Sequence, residues 1–313
     1  MTTMTTHKLE ETPWLFNIEL TNRCPLKCVM CARTEHMTRA EGDISMELYT
    51  RIVDDLCEIS PPRKMKNRLL RLHQFGESLV HPEFDSMIRY AADKGFRVAL
   101  SINPVLLKPV IADRLLDSGI DSLYISLDGH DDESFFQLRG LKNAYDDSVA
   151  RLEAFLAKKT ERQLPIHIEL SMIDFKLNRE SIAKMHAYWE QHPGIDEFRN
   201  KEFMKWDGSA DSVNALADDD TGRRIEETIE KRGGCSLPWN QMAVLWDGRV
   251  VPCCYDYDGK YTVGDVREKS LLEIWHDKPM QALREEFESK QVSNDLCKNC
   301  EFSPGSIPLT QLS

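Results

Sequence analysis

The chain has 313 residues, 41% of them hydrophobic and 29% charged, an ordinary globular composition long enough for one large α/β domain or two smaller ones. Its 40 Lys and Arg against 52 Asp and Glu leave a net charge of -12, the wrong sign for a surface that gains affinity by neutralising phosphates, so nucleic acid is excluded as the expected partner. No apolar run approaches the roughly 18 residues of a membrane helix, and MTTMTTHKLEETPW lacks the features of a secretory signal, so no membrane contact and a cytoplasmic location are expected.

A tail over 1–13 precedes FNIEL (16–20), which reads as a strand, and MELYTRIVDDLCEI (46–59), which reads as a helix. In that helix Leu48, Ile52, Val53 and Leu56 form one apolar stripe with Cys57 at its edge, expected as a packed core thiol. Strand and helix then alternate: RLLRLHQ (68–74), a helix around FDSMIRYAADKG (84–95), RVALSI (97–102), and a helix KPVIADRLLDSG (108–119) ended by Gly119. SLYISLD (122–128) and IHIELSMI (166–173) read as strands followed by helical stretches, and EFRNKEFM (197–204) reads as a sixth strand. Six βα units in series imply a parallel sheet that curls into a full or partial barrel, with its site at the C-terminal ends of the strands.

After Trp206 the chain turns polar and acidic, DGSADSVNALADDDTG (207–222), and 207–232 reads as a linker. This gives a barrel over 14–206 and a second unit over 233–313. In the latter, MAVLW (242–246) and RVVPCC (249–254) flank the turn DGR, and SLLEIWHDKPMQALREEFE (270–288) reads as one helix.

Nine cysteines in a reducing compartment point to metal or redox chemistry rather than disulfides. CPLKCVMC puts Cys24, Cys28 and Cys31 just after the first strand, with no fourth cysteine nearby. Three thiols fit a closed four-ligand zinc site poorly. They do fit a cubane iron–sulfur cluster that keeps one iron open for another ligand.

CxxxCxxC directly after the first strand resembles the radical S-adenosylmethionine (radical SAM) superfamily. The resemblance implies a [4Fe–4S] cluster on Cys24, Cys28 and Cys31 whose open iron is chelated by SAM, and a 5′-deoxyadenosyl radical that abstracts hydrogen from carbon. It further implies cofactor contacts. Gly76, Glu77 and Ser78 of QFGES resemble the family's GGE-type loop, which receives the SAM ammonium, with Phe75 in place of the first glycine. Asn103 of SINPVLL matches the family's TNGxLL, with Pro104 where the glycine stands. Ser126 and Asp128 of ISLDG match the ribose and carboxylate region, and Arg139 of LRG is the candidate bidentate partner of the SAM carboxylate. Met30 stands where the family usually has an aromatic.

The C-terminal pattern C…PW…DGxVxPCC…SLxEIW…CxxC resembles the SPASM/twitch extension, which implies auxiliary [4Fe–4S] binding. A full domain with two clusters uses about seven cysteines; five here imply one auxiliary cluster on Cys235, Cys253, Cys297 and Cys300, with a Cys₄ zinc ribbon as the rival. Cys254 is left over, either as an inert thiol or as a hydrogen-atom donor to a substrate radical. The expected fold is thus α/β: a partial (β/α)6 TIM-like barrel with a small β-hairpin/helix iron–sulfur domain. The expected function is hydrogen abstraction from a small sugar-, aminocyclitol- or nucleoside-like molecule, giving epimerisation through Cys254. Dehydrogenation through the auxiliary cluster, maturation of a ribosomal peptide, and a non-catalytic iron–sulfur or zinc protein are the alternatives. Against the peptide reading, the first strand starts within about 16 residues of the N-terminus, so no leader-binding domain is expected before it, although a separate subunit could supply one. A flavodoxin or ferredoxin is the expected electron donor by the same resemblance.

Overall fold

A computed structural model describes residues 9–59, 69–232 and 235–303. The start of the expected tail, residue 68 of the second predicted strand and the last ten residues of the second unit lie outside the described residues.

All six expected strands form: β1 (Trp14–Ile18), β2 (Leu70–Arg71), β3 (Val98–Ile102), β4 (Ser122–Ser126), β5 (His167–Asp174) and β6 (Glu197–Glu202). They are parallel and lie side by side in chain order. Between them run α1 (Arg33–His36), α2 (Met46–Ile59), α3 (Phe84–Asp93), α4 (Pro109–Asp117), α5 (Asp132–Arg139), α6 (Tyr145–Glu161) and α7 (Arg179–Glu190). Strand alternation sends Leu70, Leu72, Leu100, Leu123, Ile125, Ile168 and Leu170 toward the helices, where they are fully buried. In α2 the buried stripe is Tyr49, Ile52, Val53 and Leu56. Tyr49 replaces Leu48 at its centre because its hydroxyl finds the Met87 carbonyl at 2.8 Å. Cys57 is half-buried and packs against this core, as expected.

Two readings are corrected. The segment 207–232 is not an irregular linker: it holds α8 (Asp211–Asn214) and α9 (Asp219–Arg232). The acidic run is a helix start, since Asp218 accepts from the Thr221 N–H at 2.9 Å and Asp219 and Asp220 occupy the first turn of the dipole. Thr221, then Arg179, hold the Asp218 carboxyl well below its usual range.

The predicted long C-terminal helix is two, α10 (Leu271–His276) and α11 (Lys278–Ser289). Asp277 ends the first in extended backbone and caps the second, and Pro279 occupies the opening turn, where its missing N–H costs nothing. The C-terminal hairpin, beyond what the sequence pattern indicates, continues the barrel's sheet. β7 (Gln241–Val244) pairs in parallel with β1, and β8 (Arg249–Val251) and β9 (Gly264–Asp265) follow antiparallel, extending one nine-stranded open sheet.

The junction is held by a buried ion pair at the end of β1. Glu19 is fully buried and accepts from Arg39 Nη1 at 2.6 Å and Nη2 at 2.5 Å. It also accepts from the N–H of Phe75 at 3.3 Å and of Trp246 at 3.2 Å. Arg39 Nε donates to the Tyr257 carbonyl at 2.7 Å, so this pair ties β1, β2, the loop after Cys31 and the C-terminal unit together.

Candidate functional site

The Cys24–Cys28–Cys31 loop lies at the C-terminal end of β1, where α5 clamps it: Lys27 N donates to the Arg139 carbonyl at 3.0 Å and Val29 N to the Leu138 carbonyl at 3.1 Å. Asn22 closes its base by receiving the Gly42 N–H at 2.8 Å and donating to the Ala40 carbonyl at 2.9 Å. Burial, then Glu77, pushes the Cys24 thiol up to about 12, and burial with the neighbouring Cys28 pushes Cys31 to about 11. Crowded thiols of this kind call for a cation to offset their charge once ionised.

The residues expected to contact SAM fall into two groups. Gly76, Glu77 and Asn103 converge on the loop. Gly76 passes so close to the loop after β1 that a Cβ would stand 2.0 Å from the Thr21 carbonyl oxygen. Glu77 N donates to the Arg23 carbonyl at 2.9 Å, and its buried carboxyl, pushed up to about 7 by burial, receives the Asn103 N–H at 2.8 Å. Asn103 Nδ2 donates to the Ser126 carbonyl at 3.0 Å, tying the ends of β2, β3 and β4 into one row. Pro104 fits where the family has glycine because it opens a 3₁₀ turn, Pro104–Leu106, capped by Asn103.

Ser78, Asp128 and Arg139 are engaged within the protein. Ser78 is buried and its hydroxyl donates to the Leu72 carbonyl at 2.6 Å. Asp128 is fully buried; it binds the Arg139 guanidinium and accepts from Ile173 N at 2.8 Å and Asn178 Nδ2 at 2.6 Å. Arg139 in turn sets Nη1 3.4 Å from Cys28 Sγ. Burial opposes the charge of Arg139, but Asp128 and Cys28 outweigh it and raise its pKa. Its buried Nε has no hydrogen-bond partner among the described residues. An orphaned donor beside the thiols, a glycine cradle and a trio of cysteines fit an anionic cluster with a carboxylate-bearing ligand.

The second thiol group is also assembled. Cys235, Cys253, Cys297 and Cys300 line one small pocket, walled by Leu237, Pro238, Leu283 and Phe287. Cys254 does not line it. Its thiol hydrogen-bonds Cys253, the first cause of a strongly raised Cys253 pKa, ahead of burial. Burial pushes Cys300 up to about 11. Among the described residues no group of three His, Cys, Asp or Glu is set for a single metal ion. The four soft donors around an apolar cavity fit an iron–sulfur cluster.

Two features went unread in the sequence. The sheet face opposite the core carries Arg71, His73, Tyr124, Glu169 and Lys201. Arg71 Cζ and Lys201 Nζ each lie 5.6 Å from the Tyr124 ring centre, and Lys201 Nζ is 3.7 Å from Glu169. His73 Nδ1 accepts the Ser101 N–H at 3.0 Å; burial, then Arg71 and Lys201, lowers its pKa to about 3, leaving it neutral. The signal was available: polar residues at every second position of otherwise apolar strands. The other feature is Trp206, which donates from Nε1 to the Met30 carbonyl at 3.0 Å and packs on Phe75 at 5.0 Å between centres.

Among the described residues no helix is long and apolar enough to cross a membrane. The model of the radical SAM superfamily matches residues 18–174 and that of the SPASM iron–sulfur cluster-binding domain residues 235–301. The tungsten-containing aldehyde ferredoxin oxidoreductase cofactor-modifying protein of Pyrococcus furiosus is 27% identical, over 91% of this chain and 86% of its own. Among solved structures, Streptococcus suis SuiB bound to precursor peptide SuiA aligns with TM-score 0.70 at 16% identity, covering 97% of this chain and 74% of that one. BtrN in complex with AdoMet and 2-DOIA aligns with TM-score 0.60 at 17% identity, covering 93% and 94%.

Proposed function

The chain belongs to the radical SAM superfamily and carries a C-terminal SPASM domain, and on that premise we propose that it abstracts a hydrogen atom from a carbon of a small polar molecule and returns a hydrogen atom from the Cys254 thiol, giving an epimer; the Cys254 thiyl radical left behind regains its thiol by taking one electron that originates from the electron donor and one proton from solvent. SAM and the [4Fe–4S] cluster, when bound, supply the 5′-deoxyadenosyl radical. The residues of the chain do the rest. Cys24, Cys28 and Cys31 hold the cluster; Gly76, Glu77, Asn103 and Ser126 form the row that receives SAM. Asp128 orients Arg139 toward Cys28, and Arg139 Nε, the orphaned donor, is available to the SAM carboxylate. Arg71, His73, Tyr124, Glu169 and Lys201 offer a polar substrate hydrogen-bond and charge partners inside the barrel. Cys235, Cys253, Cys297 and Cys300 hold one auxiliary cluster, with a flavodoxin- or ferredoxin-type protein as the electron donor.

One observation carries the epimerisation reading: Cys254 is spare, since it does not line the cavity of the other four thiols, and its backbone is tied to the segment after β2, where its carbonyl accepts from Gln74 Nε2 at 3.1 Å. Gln74 in turn accepts from Asn17 Nδ2 at 2.5 Å on β1. The likeness to BtrN favours the second fate of the same radical, loss of an electron to the auxiliary cluster to give a ketone. The likeness to SuiB, solved with a precursor peptide, favours a peptide substrate instead. Anaerobic reconstitution should give about eight iron and eight sulfide per chain; zinc in the C-terminal site would sink the auxiliary-cluster assignment. With substrate, Cys254→Ala should still release 5′-deoxyadenosine but form no epimer. Undiminished epimer yield would make Cys254 structural.

A further inference from the structure

Trp206 joins the two thiol groups. Its indole N–H holds the carbonyl of Met30, next to Cys31, and its ring packs on Phe75 at 5.0 Å and meets Tyr255 edge-on at 5.9 Å. Tyr255 lines the auxiliary cavity, and its N–H donates to Cys253 Sγ at 3.3 Å. From one cysteine loop to the other the path therefore runs through one hydrogen bond, an indole, the tyrosine and a second hydrogen bond. The backbone of Trp206 is equally unusual: φ is +58°, a left-handed conformation that a bulky aromatic adopts only when its surroundings impose it. Those surroundings are fixed from the C-terminal side. Lys205 pairs with Glu301 at 3.1 Å, Asp207 with Lys260 at 2.6 Å, and at Gly208 a Cβ would stand 2.1 Å from the Asn299 carbonyl oxygen. The turn holding the indole is thus pinned to the segment that bears Cys297 and Cys300.

We propose that Trp206 and Tyr255 form an electron relay between the SAM-binding cluster and the auxiliary cluster. Tunnelling decays exponentially with the gap crossed, and closely packed rings lower the barrier along it. The step is a bare one-electron transfer. A reduced cluster passes from the 1+ to the 2+ state as its oxidised partner passes from 2+ to 1+, with no bond made or broken and no proton moved. It rests on assigning both thiol groups to clusters, and it allows an electron deposited on the auxiliary cluster to return to the SAM-binding one.

The test uses the doubly reconstituted enzyme without substrate. A pulse of photogenerated deazaflavin radical delivers electrons, and rapid-freeze-quench EPR follows the two cluster signals as they equilibrate. Trp206→Leu should slow equilibration ten-fold or more while iron content, line shapes and midpoint potentials stay as in wild type. Trp206→Phe, which keeps a ring but loses the N–H, should fall between. Tyr255→Leu should slow it as well, and carries the test if Trp206→Leu fails to load both clusters. Wild-type rates in both leucine variants would overturn the relay. A wild-type protein holding only one cluster would instead overturn the assignment it rests on.

Discussion

Gly76 is the residue whose replacement should be least tolerated for its size. An alanine methyl there meets backbone, which cannot swing aside, so either the loop after β1 or the QFGES loop must move. Gly76→Ala should cost about 1–3 kcal/mol in urea unfolding and weaken SAM binding measured by calorimetry. His73 makes a pH prediction. Its folded pKa of about 3 lies below the unfolded value of about 6.5. Between these the unfolded chain binds a proton the native protein refuses, and native stability rises with pH. The stability is intact above about pH 6.5 and is lost as pH falls toward 3, by at most about 1.4 kcal/mol per unit from this group. His73→Gln should therefore show a shallower loss of urea midpoint between about pH 6 and pH 4 than wild type. Among the candidate site residues, the cysteines and Gly76 were the clearest in the sequence because their types admit few roles. Ser78 and Asp128 were not, since a serine or aspartate beside a strand end serves equally as an internal partner, and only three-dimensional neighbours decide.

At the scale of elements, periodicity located the six barrel strands and α2 through α4 within a few residues, because each carries an apolar face at its own period. It failed where caps, not apolar faces, define the element. The aspartates before α9 satisfy orphan N–H groups, and in isolation they read as loop. α10 begins with a reciprocal box in which Ser270 Oγ accepts from Glu273 N at 3.3 Å and Glu273 from Ser270 N at 2.8 Å. Ser270→Ala should cost about 1 kcal/mol by thermal or urea unfolding. The helix carries Trp275, fully buried, so the loss should register in global rather than local stability. A change confined to helix content with an unaltered midpoint would show that α10 unfolds independently.

Across the whole molecule, the barrel and the iron–sulfur unit share a sheet and a buried charge pair. Arg39→Gln leaves Glu19 buried without its guanidinium, which should cost about 3–5 kcal/mol. One unfolding transition is expected in wild type, since β7 pairs along β1; if Arg39→Gln instead split it into two, Glu19–Arg39 would be the coupling between units. The sequence by itself determined the chemistry and the kind of fold: cysteine spacing admits few metals, and alternating strand and helix periods admit few architectures. Tertiary structure alone decided that β7 docks beside β1 and that Trp206 stands between the two thiol groups. Each of these is a contact between segments far apart in the chain, and local pattern encodes which residues are apolar or reactive but not which distant surfaces they meet.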